Sequence, residues 1–161
     1  MSSATTRPRA STSTRLPREL PGDAGFNAIR PLRGARILLA EDNALNQQVA
    51  VELLRDAGFV VDVAEDGRQA LDALAKASWA ACPSDAVLMD MQMPVMDGIT
   101  ATVEIRKNRR NAELPIIAMT ANAMQADRDR CARAGMNDFV AKPIEPAELW
   151  RALAKWIRPR P

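Results

Sequence analysis

Ala86-Val87-Leu88-Met89-Asp90-Met91-Gln92-Met93-Pro94 is the stretch that decides the fold. Its apolar half reads as a buried strand that stops abruptly on an acid. Three other runs have the same form. Ile37-Leu38-Leu39-Ala40 ends in Glu41 and Asp42, Ile116-Ile117-Ala118-Met119 ends in Thr120, and Phe139-Val140-Ala141 ends in Lys142-Pro143. A fifth strand signal, Phe59-Val60-Val61-Asp62-Val63, lies between the first run and the Asp90 run.

Helical patterns separate these strands. The spacing predicts a helix over 45–57, with Leu45, Val49 and Leu53 on one stripe and Gly58 as its stop. A second starts near Arg68 and turns Leu71 and Leu74 inward; residues 79–84, with Cys82-Pro83, then form a loop. Gly98 opens a third, carrying Ile99, Val103 and Ile105. A fourth runs over 124–134 and ends at Gly135. The last begins at Pro146, a favoured first-turn position, and buries Leu149, Leu153 and Trp156. Strand–helix alternation of this kind implies a parallel sheet covered by helices on both faces. With right-handed crossovers, the expected fold is α/β, a doubly wound, flavodoxin-like (βα)5 sheet in the order 2-1-3-4-5.

In such a sheet the carboxyl ends of the strands share one edge, where ligands bind. Glu41, Asp42, Asp90, Thr120 and Lys142 are therefore expected side by side. Crowded carboxylates repel by about 4 kcal/mol at a separation of about 4 Å and an effective dielectric near 20. A hard divalent cation such as Mg²⁺ relieves that repulsion with oxygen ligands and one or two carboxylates. Asp90 could then attack phosphorus as a nucleophile and form an acyl phosphate. Lys142 would supply a mobile charge for phosphoryl oxygens and Thr120 a hydroxyl donor. Each residue also has a plainer reading. Glu41-Asp42-Asn43 could cap a helix, Asp90 could serve a turn, Thr120 could be a cap and Lys142 a solvated charge. Four strand ends converging on one chemistry favour the joint reading. Met89, Met91, Met93 and Met96 read as packing, since thioethers are poor magnesium ligands.

Composition narrows the function further. The chain has 161 residues, a net charge of +2 and no histidine. Without imidazole it has no Ser-His-Asp triad and no phosphohistidine of its own. Six arginines face only Glu19 and Asp23 in residues 1–33, so the basic excess belongs to that Pro/Ser/Thr/Arg segment and the remainder carries more acids than bases. Nucleic-acid binding by the body is therefore not expected. Residues 1–33 read as a disordered linker, 34–158 as the folded domain and 159–161 as a short tail. Cys82 and Cys131 read as reduced thiols. No apolar run approaches the roughly 18 residues of a membrane helix, and no secretory signal is visible.

At these residues the chain resembles the receiver domains of two-component signalling. The likeness runs over about 34–157 and rests on Ile37-Leu38-Leu39-Ala40-Glu41-Asp42-Asn43 with Asn46-Gln47, Asp66-Gly67, Met89-Asp90-Met91-Gln92-Met93-Pro94 with Met96-Asp97-Gly98, Met119-Thr120-Ala121-Asn122-Ala123, Ala134-Gly135-Met136-Asn137-Asp138 and Lys142-Pro143-Ile144. The wording is most similar to receivers at the C-terminal end of hybrid sensor histidine kinases. The resemblance implies that Asp90 is the phospho-acceptor. It implies that Asp42 binds Mg²⁺ directly, Glu41 largely through water, and the Gln92 carbonyl as a further ligand beside Asp90. Thr120 and Lys142 would contact the phosphoryl group, and Phe139 would rotate inward as Thr120 moves. Gln92 and Asn122 would tune hydrolysis, and Lys142-Pro143 would be cis. Glu41 stands where many relatives have Asp, and Phe139 where many have Tyr.

The implied function is a cytoplasmic phospho-acceptor switch in a phosphorelay, served by a histidine kinase or a histidine phosphotransfer protein. Such a domain promotes its own phosphorylation and dephosphorylation but holds no kinase domain. A homodimer stays open. Two alternatives belong to other classes. One is a degenerate receiver that acts by contact alone, which the intact site residues disfavour. The other is a haloacid-dehalogenase-type phosphatase, whose general acid would fall at the position of Gln92, a side chain unable to donate a proton in that way.

Overall fold

The computed structural model describes residues 27–79, 84–121 and 124–158. Five strands, each followed by an α-helix, alternate along it. They are β1 (Arg36–Ala40), α1 (Ala44–Asp56), β2 (Val60–Ala64), α2 (Gly67–Trp79), β3 (Ala86–Asp90), α3 (Gly98–Arg106), β4 (Ile116–Thr120), α4 (Gln125–Ala134), β5 (Asp138–Ala141) and α5 (Pro146–Trp156). All strands pair in parallel, in the order β2-β1-β3-β4-β5. This is the doubly wound arrangement expected from the alternation.

Burial explains the continuous apolar runs. β3 and β4 are buried at every position because helices cover both faces of the sheet. The period of two divides each strand between two cores. Ile37, Leu39, Leu88 and Ile117 pack with Leu54 of α1 and Leu149 and Leu153 of α5. Leu38, Val87, Met89 and Ala118 pack on the other side with Ala70, Leu74, Ala101, Ile105 and Cys131. β2 is an edge strand, and Val60 and Val63 are exposed there.

Four local expectations change. α1 turns Ala50 and Leu54 inward; of the expected stripe Leu53 packs partly buried against the core, whereas Leu45 is 68% and Val49 44% exposed. The sequence offers two neighbouring stripes, and the cap chooses between them. Asn43 Oδ1 accepts the Asn46 N–H at 3.0 Å, and the Gln47 side chain donates to the Glu41 carbonyl, which fixes the rotation of the helix. On α5, Leu149 and Leu153 are buried as expected, joined by Trp150, whose ring centroid lies 6.5 Å from that of Phe59. Trp156 is only half-buried and donates its indole N–H to Asp138 at 2.9 Å. Trp79 belongs to α2, not to a loop; Cys82 lies outside the described residues. Val103 of α3 is exposed, while Ala101, Thr102 and Ile105 face inward.

Packing also begins ahead of Gly34. Ile29 and Leu32 are buried in the core that contains Leu54 and Phe59. Among the described residues, no helix is long and apolar enough to cross a membrane.

Candidate functional site: an acidic cleft at the strand ends

The site is built from the carboxyl ends of β1, β3 and β4 and the residue after β5. Parallel pairing sets Ala40 against Met89 and Asp90 against Met119, so the loops after β1, β3 and β4 leave the sheet at one level. Carboxylate oxygens of Glu41, Asp42 and Asp90 lie within 4.8 Å of one another. Glu41 and Asp90 are buried and Asp42 is exposed. Lys142 follows β5 and reaches back, with Nζ 2.8 Å from Glu41 Oε1 and 3.2 Å from Asp90 Oδ1. The Lys142–Pro143 peptide is cis. Thr120 is buried at the end of β4.

The backbone around Asp90 is closely set. The Gln92 N–H donates to Asp90 Oδ1 at 3.2 Å, while the Gln92 side chain stands exposed. Val95 has φ 66°, a left-handed conformation that β-branched residues rarely adopt, and is 84% exposed. The loop then folds back so that Met96 accepts the Gly67 N–H at 3.0 Å and Gly98 donates to Met91 at 3.3 Å. Asp97 caps α3 by accepting the Thr100 N–H at 2.7 Å.

Electrostatics separate the two buried acids. Burial pushes Asp90 up, and the neighbouring Glu41 adds to this against the Gln92 N–H and Lys142, so its pKa is raised from 3.8 to about 6. Glu41 is also penalised by burial, but Lys142, the Asn43 N–H and Asp90 together hold it below the ordinary carboxylate value. The Asn43 N–H donates to Glu41 Oε2 at 3.1 Å. Lys142 loses by burial, yet its two carboxylate partners raise it above the ordinary lysine value.

This geometry fits a hard cation. The donors are oxygens, they converge, and Glu41 Oε1 is fully buried with no aligned hydrogen bond despite its ion pair with Lys142. A cleft of about 910 Å³ opens above them, lined by Glu41, Asp42, Asp90, Thr120 and Lys142. Asn46 of α1, quoted in the sequence only as part of the resemblance, lines it too, as do Asp127 and Arg130 of α4, which the sequence had not marked. Only the i, i+3 spacing of Asp127 and Arg130 on a polar helix hinted that they face one way. Phe139 does not line the cleft. It sits half-buried on β5, paired in register with Ala118, with the Arg128 guanidinium 4.2 Å from its ring centroid. Asn122 lies outside the described residues.

A family model described as "Response regulator receiver domain" matches residues 37–154. The chain belongs to that family. As a receiver domain it is a phosphorelay component, and phosphoryl transfer to an aspartate is the standard role of its kind. The receiver of the sensor histidine kinase PA1611 from Pseudomonas aeruginosa, solved with a magnesium ion coordinated in its active-site cleft, is 47% identical, with a TM-score of 0.69 over 76% of this chain and 97% of that one. Histidine protein kinase 1 of Candida albicans is 44% identical over 125 residues, 74% of this chain. Hybrid signal transduction histidine kinase I of Dictyostelium discoideum is 40% identical over 120 residues, 73% of this chain. The chain spans only 5% and 7% of those two kinases. The receiver of Ssk1 from Saccharomyces cerevisiae, solved with the histidine phosphotransfer protein Ypd1, is 26% identical with a TM-score of 0.68 over 77% of this chain and 89% of that one.

Proposed function

We propose that Asp90 is the phospho-acceptor of this receiver. The observation that carries the reading is the joint hold of Lys142 Nζ on Asp90 Oδ1 and Glu41 Oε1 within a cluster of three convergent carboxylates. Glu41, Asp42 and Asp90, with the Gln92 carbonyl, would hold Mg²⁺. Bound there, the ion neutralises the carboxylates and the incoming phosphoryl oxygens.

The chain's own residues do the rest. An Asp90 carboxylate oxygen forms a bond to phosphorus as the phosphorus–nitrogen bond of a donor phosphohistidine breaks, and the imidazole leaves with its electron pair. Lys142 stays beside the new acyl phosphate and balances its charge. Thr120, at the adjoining strand end, donates its hydroxyl to a phosphoryl oxygen, and Phe139 follows its movement. Gln92 and Asn122 adjust access of water to the acyl phosphate. With no histidine in the 161 residues, the donor histidine lies outside this sequence.

The donor class is a histidine kinase or a histidine phosphotransfer protein, and the setting that goes with it is cytoplasmic. A hybrid kinase is the parent best supported, because the relatives at 40% and 44% identity are histidine kinases. The arginine-rich residues ahead of the fold would then serve as a tether.

The test is labelling by a small phosphodonor with Mg²⁺. The wild type is expected to form an alkali-labile, Mg²⁺-dependent acyl phosphate and Asp90→Asn none. Thr120→Ala is expected to label without the accompanying conformational change. Labelling of the Asn variant at the wild-type rate would move the acceptor elsewhere.

A further inference from the structure

α4 is clamped at one end and lightly held at the other. At its C-terminus, Arg106 of α3 donates to the Gly135 carbonyl through Nε at 3.0 Å and Nη2 at 2.7 Å, and to the Asn111 carbonyl through Nη1 at 2.6 Å. Nη2 also reaches Asn137 Oδ1 at 2.8 Å, an oxygen that accepts the Ile116 N–H at 2.9 Å and so ties the clamp to β4. At the other end, the N-cap residue Met124 makes no side-chain capping bond and is 64% exposed. Cys131 is the one residue of α4 that is buried.

A single turn of this lightly held half carries two contacts of opposite aspect. Asp127 and Arg130, paired at 3.7 Å, line the cleft above Asp90. Arg128, between them in sequence, lies over the Phe139 ring. A helical turn moves as a body, so a displacement that draws Arg130 toward an anion in the cleft, and Asp127 away from it, also shifts Arg128 on its ring.

Resting on the acceptor reading above, we propose that Arg128 is a positioning residue. Its grip on Phe139 stabilises the arrangement without a phosphoryl group, and occupation of the cleft works against that grip, with α4 turning about its Arg106-clamped end. A contact made in one arrangement and lost in the other sets their ratio by its own strength. A cation–π contact at an exposed site shifts such a ratio about two- to five-fold.

The test uses the full chain and the phosphoryl mimic beryllofluoride with Mg²⁺, followed by fluorine NMR, with Mg²⁺ binding alone measured in parallel. Arg128→Met is expected to bind beryllofluoride about two- to five-fold more tightly than wild type, with Mg²⁺ affinity unchanged. Arg128→Lys, which keeps a cation, is expected to lie between them. In a Phe139→Leu background the Arg128 substitution is expected to change nothing further. Equal or weaker beryllofluoride binding by Arg128→Met overturns the proposal alone, as does an effect that persists without the ring. A wild type that takes up no beryllofluoride overturns the acceptor reading together with it.

Discussion

Gly98 is pressed against the peptide of Asp90: a Cβ at Gly98 would lie 2.3 Å from the Asp90 carbonyl oxygen and 3.1 Å from Met89 Cγ. The start of α3 thus sits directly on the backbone of Asp90, and the absence of a side chain allows it. The role is steric, because this glycine is not among those of positive φ.

Gly98→Ala should therefore act on both stability and chemistry. The overlap is with backbone that cannot swing aside. We expect a loss of about 1–3 kcal/mol in denaturant unfolding. Displacement of Asp90 should slow acyl-phosphate formation about ten- to a hundred-fold, with circular dichroism of the wild-type kind.

Asp90→Asn should stabilise the metal-free protein at neutral pH. The folded-state pKa is raised to about 6 from 3.8, mainly by burial. The proton is therefore bound more tightly in the folded state, so the fold is favoured while the acid is neutral and loses that advantage as pH rises through about 6. The Asn side chain keeps the neutral form at every pH. In chelator, Asp90→Asn should exceed wild type by about 1–3 kcal/mol at pH 7.5, and the difference should vanish toward pH 4. A constant difference across that range would contradict the assignment of cost to the ionised carboxyl.

Lys142→Met should separate metal binding from phosphoryl chemistry. The ammonium occupies Glu41 Oε1 and Asp90 Oδ1, the oxygens a cation would use. Its removal is expected to tighten Mg²⁺ binding several-fold, read by calorimetry. Labelling at saturating Mg²⁺ should fall about a hundred-fold, as when a charge-stabilising donor is lost from an active site.

Val95→Gly should raise stability. The valine holds φ 66° with 84% of its surface exposed, so it strains the backbone and contributes little packing in return. Glycine adopts that conformation freely, and a gain of about 0.5–1 kcal/mol in thermal or denaturant unfolding is expected.

The candidate site was legible in the sequence because lone polar residues stood at the ends of apolar runs. Glu41, Asp90, Thr120 and Lys142 needed only the direction of the strands to be assembled. Helix rotation was harder to read. Leu45 and Val49 formed as good a stripe as Ala50 and Leu54, and the choice depended on the cap at Asn43 and the reach of Gln47. Arg106 left no local pattern, since its partners are the main-chain carbonyls of Asn111 and Gly135 and the Asn137 amide, which are independent of side-chain periodicity and in the last two cases distant in sequence. Asp127 and Arg130 were hidden for a similar reason: their place at the cleft depends on how α4 lies across the sheet, and polar spacing alone does not determine that.

Because Glu41, Asp90, Thr120 and Lys142 come from four different strand ends, no single β-α unit contains the proposed site. Melting of one crossover, or a nick that lets one strand drift, would silence the domain while most of its secondary structure survived. Acceptor competence is thus a census of the whole tertiary structure, and a partly folded copy would drop out of the relay instead of sending a false message.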